Sequence, residues 1–437
     1  MDIIKKTYKK VLLIFFVIVL IIVMIFFSAL PLYNWYTREK SGVRLPSDYF
    51  SPYADLIPTA VRKGTLAQDE TWSGVVQVTG NVIVPEGVTL TIEPGTIIRF
   101  AHNREKEYLL TLNNYFDWPK PALYVYGTLI SLGSPEKLII FTSDAPEPRG
   151  ADWRGIILFS KSSNPDDQSI IKYSIIEYAH KSILFTMGPK SQAIVENNII
   201  RFADQYFLKK CKVILFLCFG NPELEGGSGI TYWGGSSTIV RGNIMYSNTH
   251  SIEESSSGTP VFENNVVCFN KDYNQKVVGA NGVRTGAEKS NNSPIFRNNL
   301  ICGNDFGIEF NWGSKAVVEN NIIIWNDAGL DLLGDLREPE SNPSVNFNNV
   351  WGNNVDYARS IISQERQSMP AERFGKGNVA IDPLFTEEDF YNANFNFTQP
   401  GLKDSGNPEL FDEEGSRSDI GPNWDWSWVN PDILTKK

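Results

Sequence analysis

The sequence has few of the residues that bind soft metals or build disulfide scaffolds. Its 437 residues include only four Cys, three His and five Met. Such scattered ligands predict no zinc or copper site, while carboxylate sites for hard cations remain open. Basic residues are also in the minority, because 40 Lys and Arg stand against 50 Asp and Glu, a formal net charge of −10. This acidic balance excludes nucleic acid as an expected partner.

Only one long hydrophobic run interrupts this ordinary composition. Residues 11–30 carry no charge, and they are flanked by Lys5, Lys6, Lys9 and Lys10 before them and by Tyr33, Trp35 and Tyr36 after them. Twenty residues at about 1.5 Å each span roughly 30 Å, the thickness of the hydrocarbon layer. The lysines predict a cytoplasmic N-terminus, so the remainder is expected outside the membrane, periplasmic or extracellular. A cleaved signal peptide is the alternative, and N-terminal sequencing of the mature protein distinguishes the two.

A short phrase recurs along the middle of the chain: apolar, charged, Asn or Gly, Asn, apolar, apolar. Its second Asn stands at Asn198, Asn243, Asn265, Asn299 and Asn321, with weaker copies around Ser174 and Asn349. The base period is 22 residues, shorter than the roughly 33–47 residues of helical solenoid repeats. Short β-branched runs separated by Asn and Gly predict a coil of three strands. The repeated Asn is expected in a tight turn with left-handed backbone, where Asn side chains stack from rung to rung.

The residue two positions before each turn Asn alternates in charge along Lys172, Glu196, Arg241, Glu263, Arg297 and Glu319. On parallel strands about 4.8 Å apart, alternation places each charge between two opposite ones. The alternation predicts that these phrases lie on consecutive rungs. The longer gaps between phrases are then single coils with inserted loops, near residues 203–228 and 271–281.

These features resemble the right-handed parallel β-helix family, the pectate-lyase-like architecture. The resemblance is carried by the Asn-turn repeat and by residues 85–96, 127–130, 139–143, 153–156, 381–385 and 415–421. It implies an all-β fold, a right-handed parallel β-helix solenoid behind an N-terminal transmembrane helix. The predicted organisation is a cytoplasmic N-terminus at 1–10, an anchor at 11–30, a spacer at 31–70, the β-helix at 71–425 and a tail at 426–437.

In this family, carbohydrate typically lies along the first sheet. The corresponding strands here are expected to turn Ile183, Ile230, Val283, Ile308 and Leu330 inward and Leu184, Thr231, Arg284, Glu309 and Asp331 outward. Arg284, Glu309 and Asp331 would stack on successive rungs as candidate catalytic residues. Two neighbouring carboxylates can share a proton, bind a hard cation or act as acid and nucleophile.

The ligand-binding candidates are Thr231, Trp233 and Asn311 in the adjoining outward positions. Arg284 suits the carboxylate of an acidic sugar, and Trp233 suits stacking on a sugar face. The alternative is a solvated sheet face on which Arg284 simply neutralises Glu309. The cofactor is left open, with Ca²⁺ as the candidate.

Two cysteines occupy equivalent positions on adjacent rungs. Cys268 and Cys302 each lie three residues after a turn Asn, so a disulfide and two stacked free thiols both fit. Cys211 and Cys218 share one inserted loop and form a second candidate pair.

The pectin-hydrolysing members of the family carry motifs such as Gly-His-Gly and Asn-Thr-Asp that this sequence lacks. The leading hypothesis is therefore a membrane-anchored extracytoplasmic protein that binds extracellular polysaccharide or builds the cell envelope. The alternative is a polysaccharide lyase or glycoside hydrolase acting on an acidic glycan.

Overall fold

The structure is a computed structural model. It describes residues 51–434, with gaps at 103–119, 160–167, 187–192, 234–237, 255–257, 272–279, 287–292, 312, 335–340, 362–365 and 398, and with only strand bounds between 205 and 225. The predicted anchor at 11–30 lies outside these residues. Within them, no helix is long and apolar enough to cross a membrane.

The chain is a succession of short strands. The first are β1 (Ala60–Thr65), β2 (Glu70–Trp72), β3 (Val75–Val84), β4 (Thr89–Ile92), β5 (Ile97–Phe100), β6 (Ala122–Val125), β7 (Thr128–Leu132), β8 (Ile139–Ser143), β9 (Gly155–Leu158), β10 (Ser169–Lys172), β11 (Ser174–Glu177) and β12 (Lys181–Phe185). The next are β13 (Ala193–Glu196), β14 (Ile199–Arg201), β15 (Tyr206–Lys209), β16 (Lys212–Ile214), β17 (Leu217–Phe219), β18 (Pro222–Glu225), β19 (Ser228–Tyr232), β20 (Ile239–Arg241), β21 (Ile244–Tyr246), β22 (His250–Glu254), β23 (Val261–Glu263) and β24 (Val266–Cys268). The last are β25 (Asn281–Gly286), β26 (Ile295–Arg297), β27 (Leu300–Cys302), β28 (Phe306–Asn311), β29 (Val317–Glu319), β30 (Ile322–Ile324), β31 (Ala328–Gly334), β32 (Ser344–Asn346), β33 (Asn349–Trp351), β34 (Val355–Ile361) and β35 (Gln367–Ser368).

Most of these strands form three parallel stacks. The site sheet contains β6, β9, β12, β19, β22, β25, β28, β31 and β34; the second sheet contains β5, β8, β11, β14, β21, β24, β27, β30 and β33. The long strand β3 runs through the first rung of both. The third sheet contains β2, β4, β7, β10, β13, β20, β23, β26, β29 and β32. Each coil contributes one strand to each sheet, as the 22-residue period predicts.

The interior of the coil is filled by alternate residues of every strand. The predicted inward set is at most 1% exposed and belongs to the core: Ile183, Ile230, Val283, Ile308 and Leu330. The core continues through stacked Phe262 and Phe296, whose ring centroids lie 4.9 Å apart. The period-two alternation therefore sets which face of the site sheet is available for function.

The two turn positions of the Asn-turn phrase have different structural roles. The first takes the left-handed backbone, with φ between 53° and 62° at Asn197, Gly242, Asn264, Asn298 and Asn320. The second carries the side-chain ladder. The Asn243 backbone N–H donates to Asn265 Oδ1 at 3.1 Å, and the Asn243 amide donates to the same oxygen at 3.0 Å. The predicted stacking of Asn side chains is confirmed, and the left-handed residue is the one before them.

A second Asn ladder, which the repeat phrase does not include, lines the turn between the second sheet and the site sheet. Asn248, Asn270, Asn304, Asn326 and Asn353 repeat the same bonds; for example, the Asn270 amide donates to Asn304 Oδ1 at 2.8 Å. Left-handed residues of varied type precede them, including Ser247, Phe269 and Trp325. That variety conceals the motif in the sequence.

The alternating charges of the third sheet pair as predicted. Glu196 accepts from Lys172 Nζ at 2.8 Å and from Arg241 Nε at 2.6 Å. Arg297 lies 2.9 Å from Glu263 and 3.9 Å from Glu319. The phrases are therefore consecutive rungs. The first inserted loop holds two antiparallel pairs, β15 with β18 and β16 with β17.

Both ends of the solenoid differ from the predicted boundaries. The first strand begins at Ala60, inside the predicted spacer, and pairs in parallel with β3. At the other end, a 3₁₀ turn (Ala371–Arg373), helix α1 (Glu387–Tyr391) and helix α2 (Pro431–Leu434) follow the last strands. Trp426, Trp428 and Leu434, placed in the predicted tail, are buried in a cluster on the outer face of the second sheet. Aromatic burial thus fixes a segment that has no repeat pattern.

Candidate functional site

The outer face of the site sheet carries a column of charged residues, here called the charged column: Glu253, Arg284, Glu309 and Asp331. The strand register pairs Thr231 with Glu253, Glu253 with Arg284, Arg284 with Glu309, and Glu309 with Asp331. The predicted stacking of Arg284, Glu309 and Asp331 is confirmed. Leu184 and Thr231 precede the column on the same face.

Glu253 is the member that the sequence prediction missed. Its strand, β22, reads His-Ser-Ile-Glu-Glu, where only Ile252 marks the inward position. Glu253 Oε2 accepts from Lys181 Nζ at 2.8 Å and from Ser228 Oγ at 3.0 Å. Burial raises the pKa of Glu253, but the charges of Lys181 and His250 outweigh this effect and bring the pKa down to about 2. Glu253 is therefore a carboxylate at any physiological pH.

Glu309 lies at the centre of the column and is 3% exposed. Its Oε1 is 3.2 Å from Arg284 Nε and accepts from the amides of Asn311 at 2.7 Å and Asn281 at 3.4 Å. Burial is the largest influence and leaves the pKa of Glu309 raised, with the charge of Asp331 adding to it and that of Arg284 opposing it. The predicted ion pair with Arg284 is present, on a face that is buried instead of solvated.

Asp331 is fully buried on the next rung. Burial raises its pKa, against the opposing effects of nearby Ser360 and Arg366. Two adjacent carboxyls with raised pKa values form a pair that can retain a proton closer to neutral pH than an exposed carboxyl does. Such a group can donate a proton in general acid catalysis.

Two amide oxygens near this pair, Asn281 Oδ1 and Asn311 Oδ1, have no hydrogen-bond partner among the described residues. The Asp331 carboxylate on the next rung is hydrogen-bonded to Ser360, which lowers its pKa against the larger effect of burial. The side chains of Asn281, Asn311 and Asp331 are each at most 1% exposed. Buried acceptors normally find a donor, so the two amide oxygens have room for a bond from a buried water molecule or for a hard cation. Asp331, Asn311 and Glu309 offer the oxygen ligands that Ca²⁺ prefers.

The other two predicted ligand residues lie beside Lys181. Thr231 is buried, and its Oγ1 accepts from Lys181 Nζ at 3.3 Å. Trp233 is half-buried, with Lys181 Nζ 5.0 Å from its ring centroid. The structure thus gathers the predicted catalytic and ligand-binding residues on one face, and it adds Lys181 from β12 and Glu253 from β22.

The cysteines on the second sheet are paired. Cys268 and Cys302 occupy partner positions on β24 and β27, with Cα atoms 4.5 Å apart, and form a disulfide. The sequence left a disulfide and two stacked free thiols as alternatives, and the structure contains the disulfide. The other pair, Cys211 and Cys218, lies outside the residues whose side chains the structure describes.

A separate acidic cluster lies in the C-terminal segment. One carboxylate oxygen each of Asp404, Asp412 and Asp419 lies within 4.8 Å of the others. Burial and the neighbouring acids raise the pKa values of Asp412 and Asp419. The three carboxylates have the ligand type that a hard cation takes.

Comparison with known proteins gives the fold class. Residues 149–323 match the family model described as the right handed beta helix region. With its three stacks of parallel strands, the chain is a right-handed parallel β-helix protein, as its sequence indicates. No curated protein matches it.

Two solved structures also align with the chain. They are those of AlyGC, an alginate lyase of the PL6 family, and of an arginine-to-alanine variant of that enzyme. The identity is 13% for both, over 75% and 79% of this chain, with TM-scores of 0.36 and 0.37. The chain spans about half the length of these lyases, 51% and 54%. Similarity at this level carries no inference about the chemistry of this chain.

Proposed function

We propose that the protein is a membrane-anchored, extracytoplasmic β-helix protein that binds an acidic polysaccharide along the charged column. The observation that carries the proposal is the position of Arg284, whose side chain is 27% exposed on the outer face of the site sheet and lies 3.2 Å from the buried Glu309. A guanidinium is the group that best binds the carboxylate of an acidic sugar.

Stability alone does not account for this column. Taking ionised groups out of water costs several kcal/mol each, and apolar residues of similar volume are often as stable or more so. The same sheet face shows that alternative on its earlier rungs, where Tyr124, Ile157 and Leu184 form an apolar cluster. The change from apolar to charged residues within one sheet supports a binding role for the charged rungs.

The proposed location rests on the hydrophobic run at residues 11–30 with its preceding lysines. The disulfide between Cys268 and Cys302 supports it, because disulfides persist in oxidising compartments outside the cytoplasm. Alkaline phosphatase fused after residue 437 should be active in intact cells, and the same fusion after residue 10 should be inactive. The reverse pattern would place the β-helix in the cytoplasm.

Binding is tested with immobilised acidic and neutral polysaccharides and the purified chain. Arg284→Gln should weaken binding to the acidic glycan about tenfold or more, since it removes a charge-assisted contact worth about 1.5–3 kcal/mol. Arg297→Gln is the matched control, because both arginines are 27% exposed and pair with a glutamate, but Arg297 lies on the third sheet. Equal effects of the two variants, or no binding by the unmodified protein, would refute the proposal.

A second candidate function is cleavage of the same glycan, and the raised pKa values of Glu309 and Asp331 favour it. A carboxyl that retains its proton can protonate a leaving group while its neighbour acts as base or nucleophile. Replacing Glu309 and Asp331 with Ala should then abolish product release from an acidic polysaccharide. Unchanged release from a folded double variant would assign the cleavage to other residues.

A further inference from the structure

A small open cavity lies on the C-terminal segment, away from the charged column. Its volume is about 370 Å³, within the lower part of the range for ligand sites, roughly 300–1,000 Å³. It is lined by two stretches of chain, residues 392–396 and residues 424–427 with Val429. These belong to the segment that covers the second sheet, whereas the charged column is on the site sheet.

The two walls are tied to each other and to the solenoid. Asn396 bridges them: its Nδ2 donates to the Trp424 carbonyl at 3.0 Å, and its Oδ1 accepts from Trp426 Nε1 at 3.1 Å. Trp424 Nε1 donates to Asn197 Oδ1, on a solenoid turn, at 2.7 Å. The rings are thus held in place before any ligand arrives, which lowers the entropy cost of binding.

The lining combines aromatic surface with side-chain amides. Trp424 is half-buried, while the amide-bearing Asn392 and Asn394 are exposed at the cavity. The Asn394 amide also donates to Asp389 Oδ1 at 3.0 Å. Asp425 is the acidic lining residue, and bonds from Ser427 lower its pKa, so it is ionised at neutral pH. All ten lining residues lie in the described part of the chain, and none of them is basic. The guanidinium of Arg241, which is not part of the lining, lies over the Trp424 ring, 5.4 Å from its centroid. The lining itself therefore carries no positive charge, in contrast to the charged column.

We propose that this cavity binds a neutral sugar residue, held by the indole surface of Trp424 and by the amides of Asn392 and Asn394. Indole surface suits the C–H face of a pyranose, and amides supply both the donors and the acceptors that hydroxyl groups require. The cavity volume suits one or two sugar rings. The site gives the protein a second contact with carbohydrate that differs in charge preference from the first, and it does not depend on the charged column.

Trp424 also has a structural role, because its indole N–H bond joins the C-terminal segment to Asn197. The test therefore needs a variant outside that bond. Asn392→Ala alters an exposed amide of the cavity, while Phe411→Ala serves as a control at a ring that is 68% exposed elsewhere in the C-terminal segment.

The experiment is saturation-transfer NMR on the full chain with cellobiose, maltose and N,N′-diacetylchitobiose as probes and digalacturonate as the acidic comparator. At least one neutral probe should receive saturation. Trp424→Ala and Asn392→Ala should each weaken its binding about fivefold or more, roughly the loss of one good contact, and Phe411→Ala should not. The melting temperature of Asn392→Ala should match that of the unmodified chain.

No transfer to any neutral probe would overturn the proposal. So would binding that Asn392→Ala leaves unchanged, or a cavity preference for digalacturonate that survives Arg284→Gln.

Discussion

Asn265 offers a test of how the turns hold the solenoid together. Its side chain is fully buried; its Oδ1 accepts from the Asn243 backbone N–H at 3.1 Å, and its Nδ2 donates to the Val240 carbonyl at 2.9 Å. Asn265→Ala removes these two bonds together with the two bonds to the side-chain amides of Asn243 and Asn299, each 3.0 Å long, and it leaves two buried backbone groups without these partners. Each such loss costs about 1–3 kcal/mol, so the variant should lose about 2–6 kcal/mol of its free energy of unfolding. A loss of that size is a large share of the roughly 5–15 kcal/mol of a typical domain.

Urea unfolding followed by tryptophan fluorescence measures this difference. Asn354→Ala is the matched control, because Asn354 is exposed and its amide bonds only the side chain of Asp327 in a comparable turn. The control should change the free energy of unfolding by about 0.5 kcal/mol or less. If Asn265→Ala shifted the urea midpoint no further than Asn354→Ala does, the Asn ladder would contribute no measurable stability, and the predicted cost of losing buried hydrogen bonds would be wrong.

The remaining predictions concern the charged groups and the disulfide. Glu253→Gln leaves Lys181 buried without this carboxylate and should cost about 3–5 kcal/mol at pH 7 by urea unfolding. Since the pKa of Glu253 is lowered from 4.5 to about 2, its contribution should be complete above pH 4.5 and disappear as the pH falls towards 2. Asp412→Asn should raise the melting temperature at pH 7 and leave it unchanged below pH 3.8. The pKa of Asp412 is raised in the folded state, so the ionised carboxylate destabilises the fold at pH 7, whereas below pH 3.8 the group is protonated in the folded and unfolded states alike. Unfolding under reducing conditions should remove about 3–4 kcal/mol contributed by the Cys268–Cys302 disulfide, which closes a 34-residue separation.

The fold could be predicted because two independent patterns mark the repeat: the recurring turn Asn and the alternating charge two positions before it. Left-handed turns restrict residue type, so Asn264 and its equivalents stand out in the sequence. The charges stand out because neighbours at rung spacing must differ in sign. The second Asn ladder could not be predicted, because residues such as Phe269 and Trp325 take the left-handed position there, and neither residue type indicates a turn.

For the candidate site, the sequence predicts only which residues lie at equivalent positions on adjacent strands. Alternation along β28 and β31 places Glu309 and Asp331 on one face, but their contacts come from neighbouring coils, which supply Asn281, Arg284 and Ser360. Glu253 was missed because β22 has a single strongly apolar inward residue. The cavity beside Trp424 has no sequence signal of its own, since it arises where two non-repetitive segments meet.

The charge column of the third sheet also constrains how such a solenoid can lengthen. Its signs alternate from Lys172 to Glu319, so each coil differs from both neighbours. Inserting or deleting one coil between the ends of this column would bring two like charges into contact, whereas a change of two adjacent coils would preserve the alternation. The unit of growth is therefore a pair of coils. A protein of this type would change the length of its site sheet in steps of about 10 Å, twice the distance between adjacent strands.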